Sequence, residues 1–322
     1  MSAMKNIQIC VNALRDTLKT VDARPENKGA ILRAAAPIFA DFGLPPVRAV
    51  GAVNQTAKTA KGEKFNIDQY TVYLAPHSSS GAGNTCPAST VGCRAACLHY
   101  AGRAAIEAKL TPSERRIMPA RVARTVLYFA SREHFSAVLF NEIDRARRGA
   151  MKKGAEFFVR LNGTSDISPR AFKVNGVDVL TQFSDVQFFD YTKVWTRAGI
   201  DYGSNYSLCF SWTDESTWDV ARREILDRGF SLAVPFAELD QNNRPKIARF
   251  ATLPTSYGEI DSDGRQLWTA PVIDGDKFDA RPLDRVDGGA PKTGGYIVGL
   301  RAKRTTLEGD RAAIASGFFV TV

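Results

Sequence analysis

The stretch that decides the fold is Glu156-Phe-Phe-Val-Arg-Leu-Asn-Gly-Thr-Ser-Asp166. Four of its first six residues are apolar, which is typical of a buried strand, and polar residues follow at once. Ligands of α/β folds bind at the carboxyl ends of strands. Gly163 would let the backbone approach a ligand closely. The sequence therefore predicts a ligand-binding turn made of Asn162, Gly163, Thr164, Ser165 and Asp166, or a helix cap formed by Ser165 or Ser168 before Pro169.

The same pattern of a short apolar strand followed by polar residues recurs along the chain. The further strands are Tyr70-Thr-Val-Tyr-Leu-Ala75, Val186-Gln-Phe-Phe-Asp190, Tyr206-Ser-Leu-Cys-Phe210, Phe230-Ser-Leu-Ala-Val234 and Tyr296-Ile-Val-Gly-Leu300. Helical segments separate several of them, so a mostly parallel sheet is expected. We predict an α/β fold, a complete or partial TIM-like barrel, over residues 65–322. Residues 1–64 are predicted to form an N-terminal helical extension and a loop.

Other strand ends carry further candidates. Asp190, Tyr191 and Lys193 follow the Val186 strand as predicted catalytic residues, or as an ordinary surface strand end. Lys193 could bind a carboxylate or phosphate, and Tyr191 could stack on an adenine or donate a proton. Asp274 and Asp276 indicate a tight turn before they indicate a site. Arg301 and Lys303 end the last strand within reach of a phosphate.

Three of the five cysteines stand together in Asn84-Thr-Cys-Pro-Ala-Ser-Thr-Val-Gly-Cys-Arg-Ala-Ala-Cys-Leu-His99. The spacing of Cys86, Cys93 and Cys97 indicates ligands of a soft metal or an iron–sulfur cluster. A [4Fe–4S] cluster is favoured over zinc, for which His99 or His77 could be the fourth ligand. Unliganded thiols are the alternative. Cys10 and Cys209 lie in apolar surroundings and are expected in the core.

The chain has 322 residues, a net charge of +9 and a pI of about 9.4. Between Arg94 and Lys153, thirteen Lys and Arg stand against five Asp and Glu. This basic region predicts a nucleic-acid or nucleotide partner, with Arg115, Arg116, Arg121 and Arg124 as contacts, or else a solvated helix face. Binding through phosphates alone would depend on salt and not on base sequence.

Several classes are excluded or disfavoured by the sequence. There is no run of eighteen apolar residues, so no membrane partner is expected. The N-terminus lacks the apolar core of a signal peptide, which predicts a reducing cytoplasm. There is no P-loop and no G-x-S-x-G motif, and the three histidines are too few for a convincing triad.

The cysteine loop after a first strand resembles the radical SAM superfamily in architecture. That resemblance implies an open iron that binds S-adenosylmethionine, with the turn at residues 162–166 and Ser211 as cofactor-binding positions. The spacing here is C-x6-C-x3-C where that superfamily has C-x3-C-x2-C. Asn-Gly-Thr also replaces its Gly-Gly-Glu segment.

A second resemblance covers most of the chain, through several motifs in order. Lys58-Thr-Ala-Lys-Gly-Glu-Lys64, the cysteine loop, Ala101-Gly-Arg103, Arg160-Leu-Asn-Gly-Thr-Ser-Asp-Ile167 and Phe189-Asp-Tyr-Thr-Lys193 are similar to a bacteriophage family called gene product eighty-eight. The tail from Val272 to Arg301 fits as well. The resemblance implies a phage protein acting in the cytoplasm of an infected bacterium, and it implies no particular activity.

The sequence thus supports two hypotheses. The first is a phage iron–sulfur enzyme of radical SAM-like type that acts on a nucleotide or a nucleic-acid-related substrate. The second is a non-catalytic, replication-associated protein that binds nucleic acid and carries a structural zinc or cluster.

Overall fold

The structure is a computed structural model. It describes residues 2–56, 59–97, 102–107, 109–111, 113–247, 251–277, 279–284 and 295–322. Three residues that carry part of the sequence predictions, Lys58, His99 and Ala101, lie outside these ranges.

The helices of the described chain include two long central ones, α5 and α6. In order, α1 to α9 are Ser2–Leu18, Lys28–Asp41, Val91–Ala95, Gly102–Glu107, Ile117–Ala130, Arg132–Lys153, Val179–Gln182, Trp218–Ala221 and Leu307–Ala315. The chain breaks between α5 and α6 at Ser131, which is extended, with φ −154°. Its side chain instead caps α6 by accepting from the N–H of His134. Serine competes for backbone hydrogen bonds in this way at helix starts, which explains the break.

Ten of the described strands build a large, mostly parallel sheet, and the other two, at residues 173–174 and 177–178, pair only with each other. In order, β1 to β12 are Gly51–Val53, Ile67–Val72, Glu156–Arg160, Lys173–Val174, Val177–Asp178, Gln187–Thr192, Tyr206–Ser211, Ser231–Ala237, Ser256–Ile260, Gln266–Asp274, Tyr296–Arg301 and Val320–Thr321. This confirms the predicted α/β class. The described strands show no closed barrel, so the TIM-like closure and the boundary at residue 64 stay predictions.

The chain forms two compact units. The first consists of Met1–Pro87, Ile106–Phe188 and Tyr202–Tyr206. In it β2 pairs with β3 in parallel and with β1 in the antiparallel sense. Every residue of β2 is buried, as expected for a parallel strand covered on both faces. Helix α6 packs against β3, and α1 packs against α2 and α5.

The second unit consists of Ala88–Ala105, Phe189–Asp201 and Ser207–Val322. Here β8 pairs in parallel with β7, β11 and β12. Strand β11 also pairs in parallel with β10, and β9 lies antiparallel to β10. The apolar side chains of β8 join a core in which Trp212 stacks on Trp218, with ring centroids 4.2 Å apart. Among the described residues, no helix is both long and apolar enough to cross a membrane.

Candidate functional site

Cys86 lies half-buried in the loop that follows β2, in the first unit. The backbone N–H of His77 donates to its Sγ atom at 3.3 Å. His77 adopts a left-handed conformation, with φ +40°. The hydroxyl of Thr85 donates to the carbonyl oxygen of Ala75 at 2.7 Å and closes the loop. Backbone contacts therefore fix the Cys86 thiol near the carboxyl end of β2.

Residues 162–166 form a turn directly after β3, the strand parallel to β2. Asn162 organises the turn, because its Oδ1 accepts from Ser165 Oγ and from the N–H of Ile167, both at 2.8 Å. Asp166 donates its backbone N–H to the carbonyl oxygen of Thr85 at 2.8 Å. Ser168, the alternative cap residue, makes no side-chain cap hydrogen bond to the short helix Pro169–Ala171.

Thr164 joins this turn to the cysteine loop. Its carbonyl oxygen lies 3.7 Å from Cys86 Sγ, which can donate to it. Its hydroxyl donates to the carbonyl oxygen of Leu74 at 2.6 Å. The structure thus brings together the first cysteine and the predicted turn, although Cys86 and Thr164 are 78 positions apart in the chain.

Tyr73 lies between the turn at residues 162–166 and the side chain of Arg121. A Cβ atom at Gly163 would lie only 2.5 Å from Tyr73 Cε1, so the turn and the ring are in close contact. The guanidinium carbon of Arg121 lies 5.3 Å from the centroid of the Tyr73 ring, within the range of a cation–π contact. Cys86, Thr164, Gly163, Tyr73 and Arg121 therefore form a continuous set of neighbours in the first unit.

Cys93 belongs to the second unit, on α3, and Cys97 follows the end of that helix. Thr90 is the N-cap residue, and its Oγ1 accepts from the N–H of Cys93 at 3.1 Å. Asp214, which comes shortly after β7, accepts from Thr90 Oγ1 and from the N–H of Gly92, the latter at 3.2 Å. The Asp214 carboxylate, from a distant part of the chain, therefore fixes the start of α3.

The predicted catalytic residues lie in the second unit at the end of β6. Asp190 is fully buried and Tyr191 half-buried. Lys193 donates to the carbonyl oxygen of Trp212, and its Nζ lies 4.6 Å from the centroid of the Phe318 ring.

Ser211, a predicted cofactor-binding residue, ends β7 in the same unit. Its carbonyl oxygen accepts from Trp195 Nε1 at 3.0 Å. Ser211 is immediately followed by Trp212, whose carbonyl oxygen accepts from Lys193. Lys193 therefore lies next to Ser211, because it donates to the carbonyl oxygen of the residue that follows Ser211.

The four predicted nucleic-acid contacts have different surroundings. Arg116 is exposed, whereas Arg115, Arg121 and Arg124 are half-buried. Arg124 donates to the carbonyl oxygen of Ala49 at 2.9 Å and to that of Tyr73 at 3.3 Å. Burial lowers the pKa of Arg124. Its guanidinium supports the end of β2.

The last two parallel strands end in a charged turn. Arg301 donates from Nη1 to Asp274 Oδ1 and from its backbone N–H to Asp276 Oδ2, both at 2.9 Å. Burial acts to raise the pKa of Asp274, but the hydrogen bonds from Arg301 and the Asp276 N–H hold it below its usual value. The predicted tight turn is present, and its carboxylates bind Arg301. Lys303 is exposed.

Within the described ranges, no group of three or more His, Cys, Asp or Glu side chains is arranged to hold a metal ion. All five cysteines lie within those ranges and are thiols rather than disulfides. The fourth-ligand candidate His99 lies outside them. A ready-made cluster site is therefore not shown.

Sequence reasoning missed three residues of these sites: Tyr73, Thr90 and Asp214. Tyr73 lies within the apolar run of residues 70–75, so nothing in the sequence marks it as a site residue. Thr90 carries a usable signal, because Thr before a short helix is a common N-cap. Asp214 lies in the polar run after β7, where α/β folds place functional side chains.

The fold defines a mixed α/β protein in which polar side chains lie at the carboxyl ends of parallel strands in each unit. A family model described as Gene product 88 matches residues 49–320. The chain belongs to this family, which confirms the phage gene-product resemblance of its motifs. No curated protein and no solved structure matches the chain. The comparisons thus lend no support to the radical SAM resemblance.

Proposed function

We propose that this protein is a phage enzyme that holds an iron–sulfur cluster through Cys86, Cys93 and Cys97. The observation that carries the proposal is the contact between Cys86 Sγ and the carbonyl oxygen of Thr164, at 3.7 Å. It joins a potential thiolate ligand to a glycine-containing turn at the carboxyl ends of two adjacent parallel strands. Cofactors and substrates of open α/β sheets bind in this position. Clustered thiolates suit iron–sulfur chemistry.

The proposal requires a change in the cysteine segment. The described side chains do not form a closed ligand set. Cluster binding would therefore change the conformation of the chain between Cys86 and Thr90 and of the thiol side chains, whereas α3 would keep its backbone. Metal binding and local folding are commonly coupled, since a ligand set is often completed only when the metal binds.

The substrate part of the proposal rests on the cations of the chain. We propose a nucleotide or a nucleic-acid-related substrate in the bacterial cytoplasm, with the phosphate or a carboxylate bound by Lys193. The half-buried ammonium of Lys193, placed over an aromatic ring, supports this role. Tyr191 would stack on the base or donate a proton, and Asp190 would be a further catalytic residue. The turn at residues 162–166 and Ser211 would orient the cofactor.

We also propose a type of reaction for this enzyme. Radical chemistry with S-adenosylmethionine, on a TIM-like barrel, is supported only by the order of strands and motifs. It would be tested after the cluster, by incubating the reduced protein with S-adenosylmethionine and measuring cleavage of that molecule.

A second candidate is a nucleic-acid-binding protein with a structural zinc. The observation that favours it is the exposure of Arg116 together with Arg145 and Lys152 of α6, which leaves several cations of the basic region at the surface. This candidate predicts DNA or RNA binding that weakens steeply with salt. It also predicts unfolding by chelators, because a structural zinc contributes folding energy.

The experiment that separates the candidates replaces each cysteine in turn. After anaerobic reconstitution with iron and sulfide, Cys86→Ala, Cys93→Ala and Cys97→Ala should each lose most of the bound iron. Cys10→Ala is the matched control, since Cys10 is buried in α1 and should leave iron binding unchanged. Undiminished iron in any of the three variants would contradict this ligand set. One zinc per chain, with binding to a DNA or RNA fragment that falls with salt, would favour the second candidate.

A further inference from the structure

We infer that Asp214 is the positioning residue for the Cys93 and Cys97 thiols, an inference that rests on the proposed metal site. The Asp214 carboxylate uses both of its oxygens at the start of α3. Oδ1 accepts from the hydroxyl of Thr90, and Oδ2 accepts from the N–H of Gly92 at 3.2 Å. Thr90 Oγ1 in turn accepts from the N–H of Cys93 at 3.1 Å. A relay of hydrogen bonds thus runs from the carboxylate to the backbone of the cysteine.

The helix needs such support because it is very short. Val91–Ala95 has five residues, and a helix of this length is not stable without outside contacts. The hydroxyl of Thr305 lies 3.5 Å from the carbonyl oxygen of Ala95, a weak contact because Asp310 Oδ1 is a closer acceptor at 3.1 Å. The buried Ala96 packs against the apolar side chains of Ala302, Ala313 and Phe319. The helix is thus held at both ends, which is the arrangement expected for a ligand-bearing segment with fixed geometry.

Steric fit at Gly92 reinforces the relay. A Cβ atom at Gly92 would overlap the hydroxyl of Ser316 and would lie 2.5 Å from Asp214 Oδ2 and 2.7 Å from Phe318 Cβ. The backbone of α3 therefore lies directly against the segment before β12 as well as against the carboxylate. Only a glycine lets Asp214 reach the Gly92 N–H at this distance.

The chemistry of the contact fits positioning better than ligation. Both Asp214 oxygens accept hydrogen bonds from the start of α3, so the carboxylate acts through the helix. Hydrogen bonds to a carboxylate are stronger than those between neutral groups. Loss of the relay should loosen the backbone of the cysteine segment and place the thiols less accurately.

Four variants test the inference with matched controls. Thr90→Ala and Asp214→Asn interrupt the relay. Thr90→Ser keeps the hydroxyl, and Asp219→Asn alters an exposed carboxylate of the same unit that pairs with Arg222 and Arg223. Two quantities are measured in each: hydrogen exchange of the amides of residues 91–97 in metal-free protein, and the affinity for Co²⁺ as a thiolate-seeking metal probe.

We expect Thr90→Ala and Asp214→Asn to exchange these amides about ten-fold faster, as the loss of a helix cap and a charge-assisted hydrogen bond would cause. Their Co²⁺ affinity should fall about ten-fold, which corresponds to one lost interaction of this strength. Thr90→Ser and Asp219→Asn should behave as the wild type. Faster exchange with unchanged Co²⁺ affinity would show that Asp214 only stabilises the helix, and this would overturn the inference. Unchanged exchange would overturn it as well.

Failure of the metal site itself gives a different pattern. If the wild type bound neither Co²⁺ nor iron, the proposed function would be wrong. Maleimide labelling followed by mass spectrometry then decides the inference, because Cys86 in the first unit serves as an internal reference. Asp214→Asn and Thr90→Ala should both alter the labelling rate of Cys93 relative to Cys86. Thr90→Ala should alter this rate without a change of charge near Cys93. An unaltered ratio of Cys93 to Cys86 labelling in both variants would overturn the inference.

Discussion

The Sγ atom of Cys86 lies 3.7 Å from the carbonyl oxygen of Thr164, in the turn after the neighbouring parallel strand. The contact depends on the close fit of that turn against β2, where the Gly163 N–H donates to the carbonyl oxygen of Val72 at 2.9 Å. Anything that lifts the turn should therefore move it away from the thiol.

Gly163→Ala should destabilise the protein by about 1–3 kcal/mol, the usual cost of overpacking a tight site. The added methyl group would lie 2.5 Å from Tyr73 Cε1 and 2.8 Å from the carbonyl oxygen of Val72. Gly149→Ala is the matched control. A Cβ there meets nothing within 4 Å, and the change should stabilise α6 by about 0.5–1 kcal/mol. Urea unfolding measures both, and a Gly163→Ala protein as stable as the wild type would refute the close fit.

Glu142 is the buried anchor of the first unit. Its Oε2 accepts from the N–H groups of Val50 and Gly51 and from the Tyr70 hydroxyl at 2.5 Å, and its Oε1 pairs with Lys28 Nζ at 2.7 Å. Burial and the neighbouring Glu142 charge raise the pKa of Tyr70.

Glu142→Ala should cost about 3–5 kcal/mol of unfolding free energy, because it leaves buried donors and a cation uncompensated. The control is Asp16→Ala, which removes an ion pair with Lys19 whose side chains are about 70% exposed. Such a pair contributes only about 0–1 kcal/mol. Equal effects of the two changes in denaturant unfolding would contradict the predicted anchor role.

Cys10 gives a prediction about pH. Its side chain is fully buried in α1, and burial raises the pKa of the thiol to about 11 from an ordinary value of 9.0. The unfolded chain loses this proton near pH 9, whereas the native protein keeps it to about pH 11. The stability that the buried, protonated Cys10 thiol contributes is therefore complete below pH 9 and is lost as the pH rises toward 11. The free energy of unfolding of the wild type, relative to Cys10→Ala, should fall across this window, and a constant difference would be inconsistent with a buried neutral thiol.

Arg124 and Arg116 should respond differently to replacement. Arg124→Ala removes the donors to the carbonyl oxygens of Ala49 and Tyr73 and should cost about 1–3 kcal/mol. Arg116→Ala changes an exposed side chain and should alter stability by no more than about 0.5 kcal/mol. If the basic region binds nucleic acid, Arg116→Ala should also lower the salt slope of binding by about one. Thermal unfolding measures the stability of both variants, and binding at several salt concentrations measures the salt slope. A clearly destabilised Arg116→Ala protein would contradict the prediction.

Much of the fold follows from local pattern. Short apolar runs predict β3, β6, β7, β8 and β11, because a strand buried on both faces needs continuous apolar residues. The turn after β3 could be predicted to lie beside the cysteine loop because the carboxyl ends of parallel strands meet at one edge. The structure then places Thr164 beside Cys86, as that reasoning requires.

The rest of the fold and of the candidate site depends on contacts between residues that are far apart in the sequence. Asp214 and Thr90 meet across 124 positions of the chain. The β9–β10 pair is partly exposed along its length, so it lacks the buried run that marks the other strands. Pro235 indicates the end of a strand, yet β8 continues through it in register with β11. In each case tertiary packing overrides the local signal.

The most direct measurement is the iron content and visible spectrum of the protein purified without oxygen, beside those of Cys93→Ala. We predict about four iron atoms per chain, the content of one [4Fe–4S] cluster, with a broad absorption band that bleaches on reduction. Cys93→Ala should lose both the iron and the band while remaining folded. A colourless wild-type protein without iron after reconstitution, or a Cys93→Ala protein with undiminished iron, would contradict the proposed iron–sulfur site.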